Sequence, residues 1–276
     1  GGNIVFVDEQ VDITGNLKLG NFTLSFTDLE IPVSGIPISV TRTYDTLTAN
    51  TRDDFGFGWR LEFRDTDLRT SLGTDQLYEE YGVRSLAFSE GERVYLTLPG
   101  GQRQGFTFQP RQVTEIDGQP LLYFAKYIYE PIFMTDDGVE VTLSVDQHYI
   151  TRGQDGRFYG LQGQEYNPAD DLFGGTYMLT TQEGIVYTIE GDSGDLMTAE
   201  DTHGNTLTFT EGGITSDTGV AVTFGRDAQG RITTVTDPEG NVIRYTYDAL
   251  GDLVSVTDQE GYVTQFDYND ERVHYL

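Results

Sequence analysis

The stretch Arg244-Tyr245-Thr246-Tyr247-Asp248-Ala249-Leu250-Gly251-Asp252-Leu253-Val254-Ser255-Val256-Thr257-Asp258 reads as two short strands joined by one turn. Gly240 to Tyr247 alternates as a strand does, and Leu253 to Thr257 is a second strand rich in β-branched residues. Between them, Asp248-Ala249-Leu250-Gly251 is a turn in which glycine supplies a positive φ. Asp258-Gln259-Glu260-Gly261 is the next turn, and Asp237-Pro238-Glu239-Gly240 the one before it, with proline presetting φ at its second position.

The unit recurs. Glycines stand at 219, 240 and 261, a spacing of 21, and Gly230 and Gly251 keep the same interval. Asp237 and Asp258 follow it, as do the aromatic positions Phe224, Tyr245 and Phe266. Asp227, Asp248 and Asn269 follow it too, preceded by Arg226, Tyr247 and Tyr268. A degenerate copy precedes these, with Gly194, Asp201, Gly204 and Phe209 in matching places. A period of this length marks a repeat architecture. One hairpin buries no apolar face by itself, so the repeats are expected to stack side by side into an extended sheet.

Composition agrees with an all-β chain. The 276 residues hold 33 glycines, 17 tyrosines and 16 phenylalanines, and 37% are hydrophobic, enough for a core. The net charge is −28, from 45 acidic and 17 basic residues, and Lys18 and Lys126 are the sole lysines. Such a charge repels phosphate backbones and anionic bilayers, so neither nucleic acid nor a membrane surface is an expected partner. The chain has no cysteine, which excludes disulfides, thiolate metal sites and cysteine nucleophiles. No apolar run approaches the ~18 residues of a membrane span. Gly1-Gly2-Asn3 begins no secretory leader, and Val273 to Leu276 falls within a strand-like pattern, so an internal piece or processed product is expected.

Residues 244–258, with the dipeptide Tyr247-Asp248, resemble the YD repeat of Rhs proteins, teneurins and the toxin-complex C subunit. A second resemblance lies at residues 16–59. Asn21 to Pro32 leads into Gly35-Ile36-Pro37, then Thr41-Arg42-Thr43-Tyr44-Asp45 and Asp54-Phe55-Gly56-Phe57-Gly58-Trp59. This is similar to the segment that opens the repeat region in Rhs proteins, where an Arg-x-Tyr strand precedes Phe-Gly-x-Gly-Trp. The residues support that reading directly. Ile36 to Tyr44 alternates as a strand, Gly56 and Gly58 permit a tight bend, and Trp59 supplies a large apolar anchor. Arg42 is expected to pair with a carboxylate or bridge backbone carbonyls.

The middle reads as further hairpins. Val94 to Leu98 and Gly105 to Phe108 flank the turn Pro99-Gly100-Gly101, Leu121 to Phe124 and Tyr127 to Tyr129 suggest more strand, and Tyr177 to Ile189 forms another hairpin. The expected division is a shell-opening β segment at 1–60, an irregular hairpin region at 61–176, and YD-type repeats at 177–276. Residues 110–173 fit the pattern least and mark a candidate insertion.

Catalytic constellations are weak. Asp192-Ser193-Gly194 resembles the nucleophile segment of trypsin-like proteases, yet His148, the only upstream histidine, sits in no matching motif. His148, His203 and His274 lack metal-ligand spacing. The carboxylate pairs Asp53-Asp54, Asp65-x-Asp67, Asp136-Asp137 and Asp170-Asp171 are what so acidic a chain produces by chance, although paired carboxylates are also the tools of glycosidases. Asp136, Asp137, Asp170 and Asp171 are the weak candidates for calcium, which wants hard oxygen ligands on a turn; no EF-hand loop is present, and no other cofactor is expected.

The resemblance implies an all-β strip of stacked hairpins that spirals into a partial shell, structural rather than enzymatic, and secreted or at the cell surface. It would enclose a C-terminal effector or serve as an extracellular scaffold, its partners being the remainder of a longer polypeptide or the enclosed cargo. The other reading is a surface-adhesion or carbohydrate-binding module, with a glycan or cell-surface ligand held on an exposed aromatic stripe. The residues expected to carry the structural role are Arg42, Tyr44, Phe55, Gly56, Gly58 and Trp59, with Gly230, Tyr245, Tyr247, Asp248, Gly251, Asp258 and Gly261 of the repeats.

Overall fold

The structure is a computed structural model that describes residues 23–62, 64, 66–72, 87–99, 101–116, 119–120, 127–136, 140–146 and 148–268. Of the features named above, Gly1 to Asn3, residues 16–22, Asp65, Gly100, the stretch Leu121 to Phe124, Lys126, Asp137, Asn269 and Val273 to Leu276 lie outside the described residues. Among the described residues the helical elements are short 3₁₀ turns, at Thr46–Thr48 and Asp171–Phe173.

The dominant element is an antiparallel sheet of 15 strands that begins at Arg69–Thr70 and ends at Val263–Gln265 without closing on itself. From Thr176–Thr180 onward every strand pairs with its neighbour in sequence, as hairpin stacking predicts. The chain leaves the sheet twice, between Phe108 and Phe133 and between Val145 and Thr176. These excursions build a separate sheet from Arg111–Gln112, Ile128–Glu130, Ile150–Arg152 and Phe158–Gly160. The segment 110–173, which departs most from the repeat pattern in sequence, is where this extra layer arises.

A third sheet is N-terminal. Thr23–Ile31 pairs with Ile38–Asp45, which pairs with Trp59–Leu61.

The aspartate-led turns of the repeats share one construction. Asp237 illustrates it: its carboxylate Oδ1 accepts from the amides of Glu239 (2.8 Å) and Asn241 (2.9 Å), and its own amide donates to the Asn241 carbonyl at 3.0 Å. Gly240, at φ +89°, donates back to the Asp237 carbonyl. This is a turn closed by a left-handed glycine, which antiparallel strands tolerate because it matches their twist. Asp201, Asp227, Asp248 and Asp258 make the same amide contacts. The Asn241 side chain first, then the turn amides, hold the Asp237 carboxyl below the usual carboxylate range; Asn205 does the same for Asp201.

Alternation then sorts the faces. Leu179, Leu207, Val222, Val235, Ile243 and Val256 point to one side and are buried, while the threonines between them, such as Thr208, Thr215 and Thr223, are exposed. Two apolar clusters form on the buried side. One joins the long sheet to the small sheet through Phe106, Phe108, Phe158, Tyr166 and Tyr177. The other joins the repeats to the N-terminal sheet through Ile38, Val40, Phe55, Trp59, Ile232 and Leu253. Full burial of a side chain of this size is worth about 1.5–3 kcal/mol. The apolar face of the strip is thus lined by the chain's own N-terminal and middle parts.

Candidate functional site: the seam between the N-terminal sheet and the repeats

Register shifts near the hairpin turns supply the first contacts of the seam. The pairing slips between Thr188 and Ile189 opposite Leu196, and between Gly225 and Arg226 opposite Ile232. The amide of Leu196 donates to the Arg64 carbonyl and that of Ile232 to the Asp54 carbonyl, both at 2.7 Å. The backbone from Asp54 to Arg64 therefore runs across several strands, bonded to donors that the bulges turn away from the ladder. Thr66 continues the line, its amide (3.0 Å) and hydroxyl (2.8 Å) both donating to the Gly194 carbonyl.

Side chains then lock this line. Arg226 Nη1 lies 2.6 Å from Asp54 Oδ1, and Arg64 pairs with Glu211 while standing 3.7 Å from the same Asp54 oxygen. Asp54 is largely buried, so two guanidiniums beside it offset the desolvation of its charge.

Arg42 lies at the centre of the N-terminal sheet and is buried. Its Nε donates to Asp28 Oδ2 at 2.7 Å, and the Tyr245 hydroxyl donates to the same oxygen at 2.9 Å. Its Cζ lies 4.5 Å from the ring centroid of Phe26, 4.9 Å from Trp59 and 5.1 Å from Phe266. Nη1 has no hydrogen-bond partner among the described residues. The rings stand in for water there, since a guanidinium is weakly hydrated and is drawn to aromatic faces. Of the three rings, Phe266 is supplied by the repeats. Burial, then the Asp28 charge, pushes the Tyr245 hydroxyl well above its ordinary range, so it remains a donor.

Trp59 is 2% exposed and packs edge-on to Phe266 at 5.2 Å and tilted to Tyr44 at 5.3 Å. Its indole Nε1 donates to the Tyr268 hydroxyl at 2.8 Å, and that hydroxyl donates to the Leu253 carbonyl at 2.8 Å. Phe55 packs on Tyr245 at 4.8 Å. Two glycines permit this closeness. At Gly56 (φ +92°) a Cβ would lie 2.5 Å from the Gly251 carbonyl oxygen, and at Gly58 (φ +72°) 2.6 Å from the Tyr44 ring. Burial, then Asp252 and Asp45, raises the Tyr44 hydroxyl above its usual range.

The structure gathers Arg42, Tyr44, Phe55, Gly56, Gly58, Trp59, Tyr245 and Gly251 at this seam. Tyr247 lies beside it, its hydroxyl donating to the Ile232 carbonyl and its ring 4.2 Å from the Arg231 guanidinium. Gly230, Asp248, Asp258 and Gly261 serve their own turns. Sequence reasoning alone does not mark the carboxylates Asp28 and Asp54, or Phe26, Arg64, Arg226, Phe266 and Tyr268, as contact residues.

The chemistry candidates are scattered. Asp136 pairs with Arg93, and the Asp170 carboxylate caps the 3₁₀ turn that contains Asp171 by accepting from the Leu172 amide at 2.9 Å. Among the described residues no three His, Asp or Glu side chains gather as a metal would require. Ser193 Oγ donates to Glu190 at 2.6 Å and accepts from the Asp195 amide, so it stabilises its turn. His148 stacks edge-on against Phe173, and His203 is exposed beside Asp201. No helix among the described residues is long and apolar enough to cross a membrane.

Comparison with protein families places matches on both sides of the seam. The RHS Repeat model matches three times, at residues 213–242, 226–258 and 247–272. The model called Domain of unknown function (DUF6531) matches residues 16–78, which hold the N-terminal sheet and the Phe-Gly-x-Gly-Trp bend. Comparison with curated proteins gives no match. The repeat matches, the preceding domain and the open antiparallel strip agree with one another: the chain carries RHS repeats behind a DUF6531 segment.

Proposed function

We propose that this chain is a wall segment of an Rhs shell, with the long sheet as the wall and the N-terminal and small sheets as its lining. The observation that carries the reading is the two-faced strip. Its outer side is threonine-rich and exposed, its inner side apolar and covered, and its last described strand, Val263–Gln265, is exposed at all three residues. Such a strip is extended by further hairpins and gains curvature from its bulges. The role is mechanical: a continuous hydrogen-bonded wall separates an interior from solvent and holds a cargo polypeptide or presents a rigid scaffold outside the cell. Among the described residues no convergent catalytic group supports an enzymatic reading. Asp136 pairs with Arg93 and Asp170 caps its own turn, so these contacts lend no support to calcium binding there. The exposed aromatics Tyr127 and Tyr262 stand just before strands of different sheets, which gives little support to a glycan-binding stripe.

Limited proteolysis of the native product tests the proposal. Sequence downstream of the repeats should resist protease until the wall is unfolded by denaturant. Its digestion at the same rate in the native and denatured states contradicts encapsulation.

A further inference from the structure

We propose that Arg226 and Tyr245 fix the register at which the N-terminal sheet docks on the repeats. The strip poses a problem of degeneracy. Its inner apolar positions recur every 21 residues, Ile232 with Leu253 and Val235 with Val256. Apolar burial is non-directional, so a sheet lying on this face meets similar material one repeat along. One repeat is two strands, a slide of about 10 Å.

Most polar contacts of the seam do not resist such a slide. Arg42 belongs to the N-terminal sheet and travels with Asp28. Trp59 donates to Tyr268, and Tyr247 offers a hydroxyl at the same place one repeat earlier. Besides the pair that Arg64 makes with the exposed carboxylate of Glu211, two contacts are aperiodic. Arg226 occupies the position held by Tyr247 and Tyr268 in the following repeats, and it pairs with Asp54. Tyr245 occupies the position held by Phe224 and Phe266, and its hydroxyl reaches Asp28. The repeat departs from its own pattern where a carboxylate of the N-terminal segment faces it. In a register slipped one repeat toward the C-terminus, Asp54 faces the phenol of Tyr247 and Asp28 the bare ring of Phe266, which leaves largely buried Asp54 without its closest cation.

The departure at 226 does no harm to the repeat itself. Arg226 Nε donates to the Glu211 carbonyl at 2.9 Å, fifteen residues back, the offset at which Tyr247 and Tyr268 donate to Ile232 and Leu253. The arginine thus preserves the internal bond of the repeat and adds an address.

The test restores the repeat pattern with the variant R226Y/Y245F. The chain has no cysteine, so L47C and Y262C, both at exposed side chains, accept spin labels on the two sides of the seam. Dipolar spectroscopy on the otherwise wild-type chain is expected to give one distance. The double variant is expected to add a second population displaced by up to about 10 Å. A distribution that coincides with wild type in the folded double variant overturns the proposal. Should the double variant not fold, Y245F alone removes one oxygen from a ring that keeps its packing. It is expected to show a smaller displaced fraction, and a wild-type distribution there overturns the proposal equally.

Discussion

The Tyr247 hydroxyl donates to the carbonyl of Ile232, fifteen residues before it, and Tyr268 repeats the bond to Leu253. The aromatic residue of the YD signature therefore ties a strand to the start of the preceding hairpin's second strand, where the bulge turns the backbone out of the ladder. Tyr247→Phe removes one buried hydrogen bond and leaves a carbonyl without its donor, for a loss of about 1–3 kcal/mol. Tyr247→Ala also opens a cavity and should cost about 3–5 kcal/mol. Urea unfolding of both variants checks the order; equal losses would mean that the hydroxyl contributes nothing.

The Arg42–Asp28 pair predicts an asymmetry. Asp28→Ala leaves a guanidinium buried without its counter-ion and is expected to destabilise by about 3–5 kcal/mol. Adding Arg42→Met removes the stranded charge and fills the ring cage with a flexible apolar side chain, so the double variant should recover part of that loss. Thermal unfolding of the two variants decides it, and a double variant less stable than Asp28→Ala contradicts the account.

Two glycines of nearly equal φ separate strain from contact. Gly240, at +89°, has open space where a Cβ would project, whereas at Gly56, at +92°, a Cβ meets the Gly251 carbonyl oxygen at 2.5 Å. Gly240→Ala should cost about 1–2 kcal/mol, the strain of a left-handed alanine. Gly56→Ala should cost more and should also loosen the seam, seen as faster hydrogen exchange at the Ile232 amide.

Two groups of side chains set the pH limits. The folded carboxyls of Asp201 and Asp237 lie below their unfolded value, so their contribution is present above about pH 4 and fades as pH falls through the folded values. The Tyr268 hydroxyl is pushed up to about 12 by burial, and Tyr247 and Tyr245 are raised as well. Their contribution is intact below about pH 10 and is lost as pH rises through the folded values. Melting temperature followed over roughly pH 9 to 12 should fall, and Tyr247→Phe should flatten that fall.

Much of this fold is legible in the sequence because the repeat is local. Asp248 and Gly251 specify a turn, and Leu253 to Thr257 a strand, within a few residues, and the structure places them so. The seam is less legible, since its partners stand far apart in the chain. Phe55 and Trp59 read as apolar anchors, but nothing near Asp28 announces Tyr245, 217 residues on. A signal exists in the repeat itself: arginine at 226 where tyrosine recurs, and tyrosine at 245 where phenylalanine recurs. Each mismatch is the point at which a long-range contact overrides the local pattern. The small sheet within 110–173 shows in the sequence only as a lapse of periodicity, because its strands are two or three residues long and carry little alternation.

The central claim is that the strip is the wall of a hollow shell, lined here by the chain's own N-terminal part. Electron cryo-microscopy of the native product isolated from its source tests it most directly. The account predicts a hollow particle whose wall continues the sheet beyond Val263–Gln265, with the N-terminal sheet on the inner side. A particle in which the threonine-rich face is turned inward, or a strip that remains open to solvent on both faces, would contradict it.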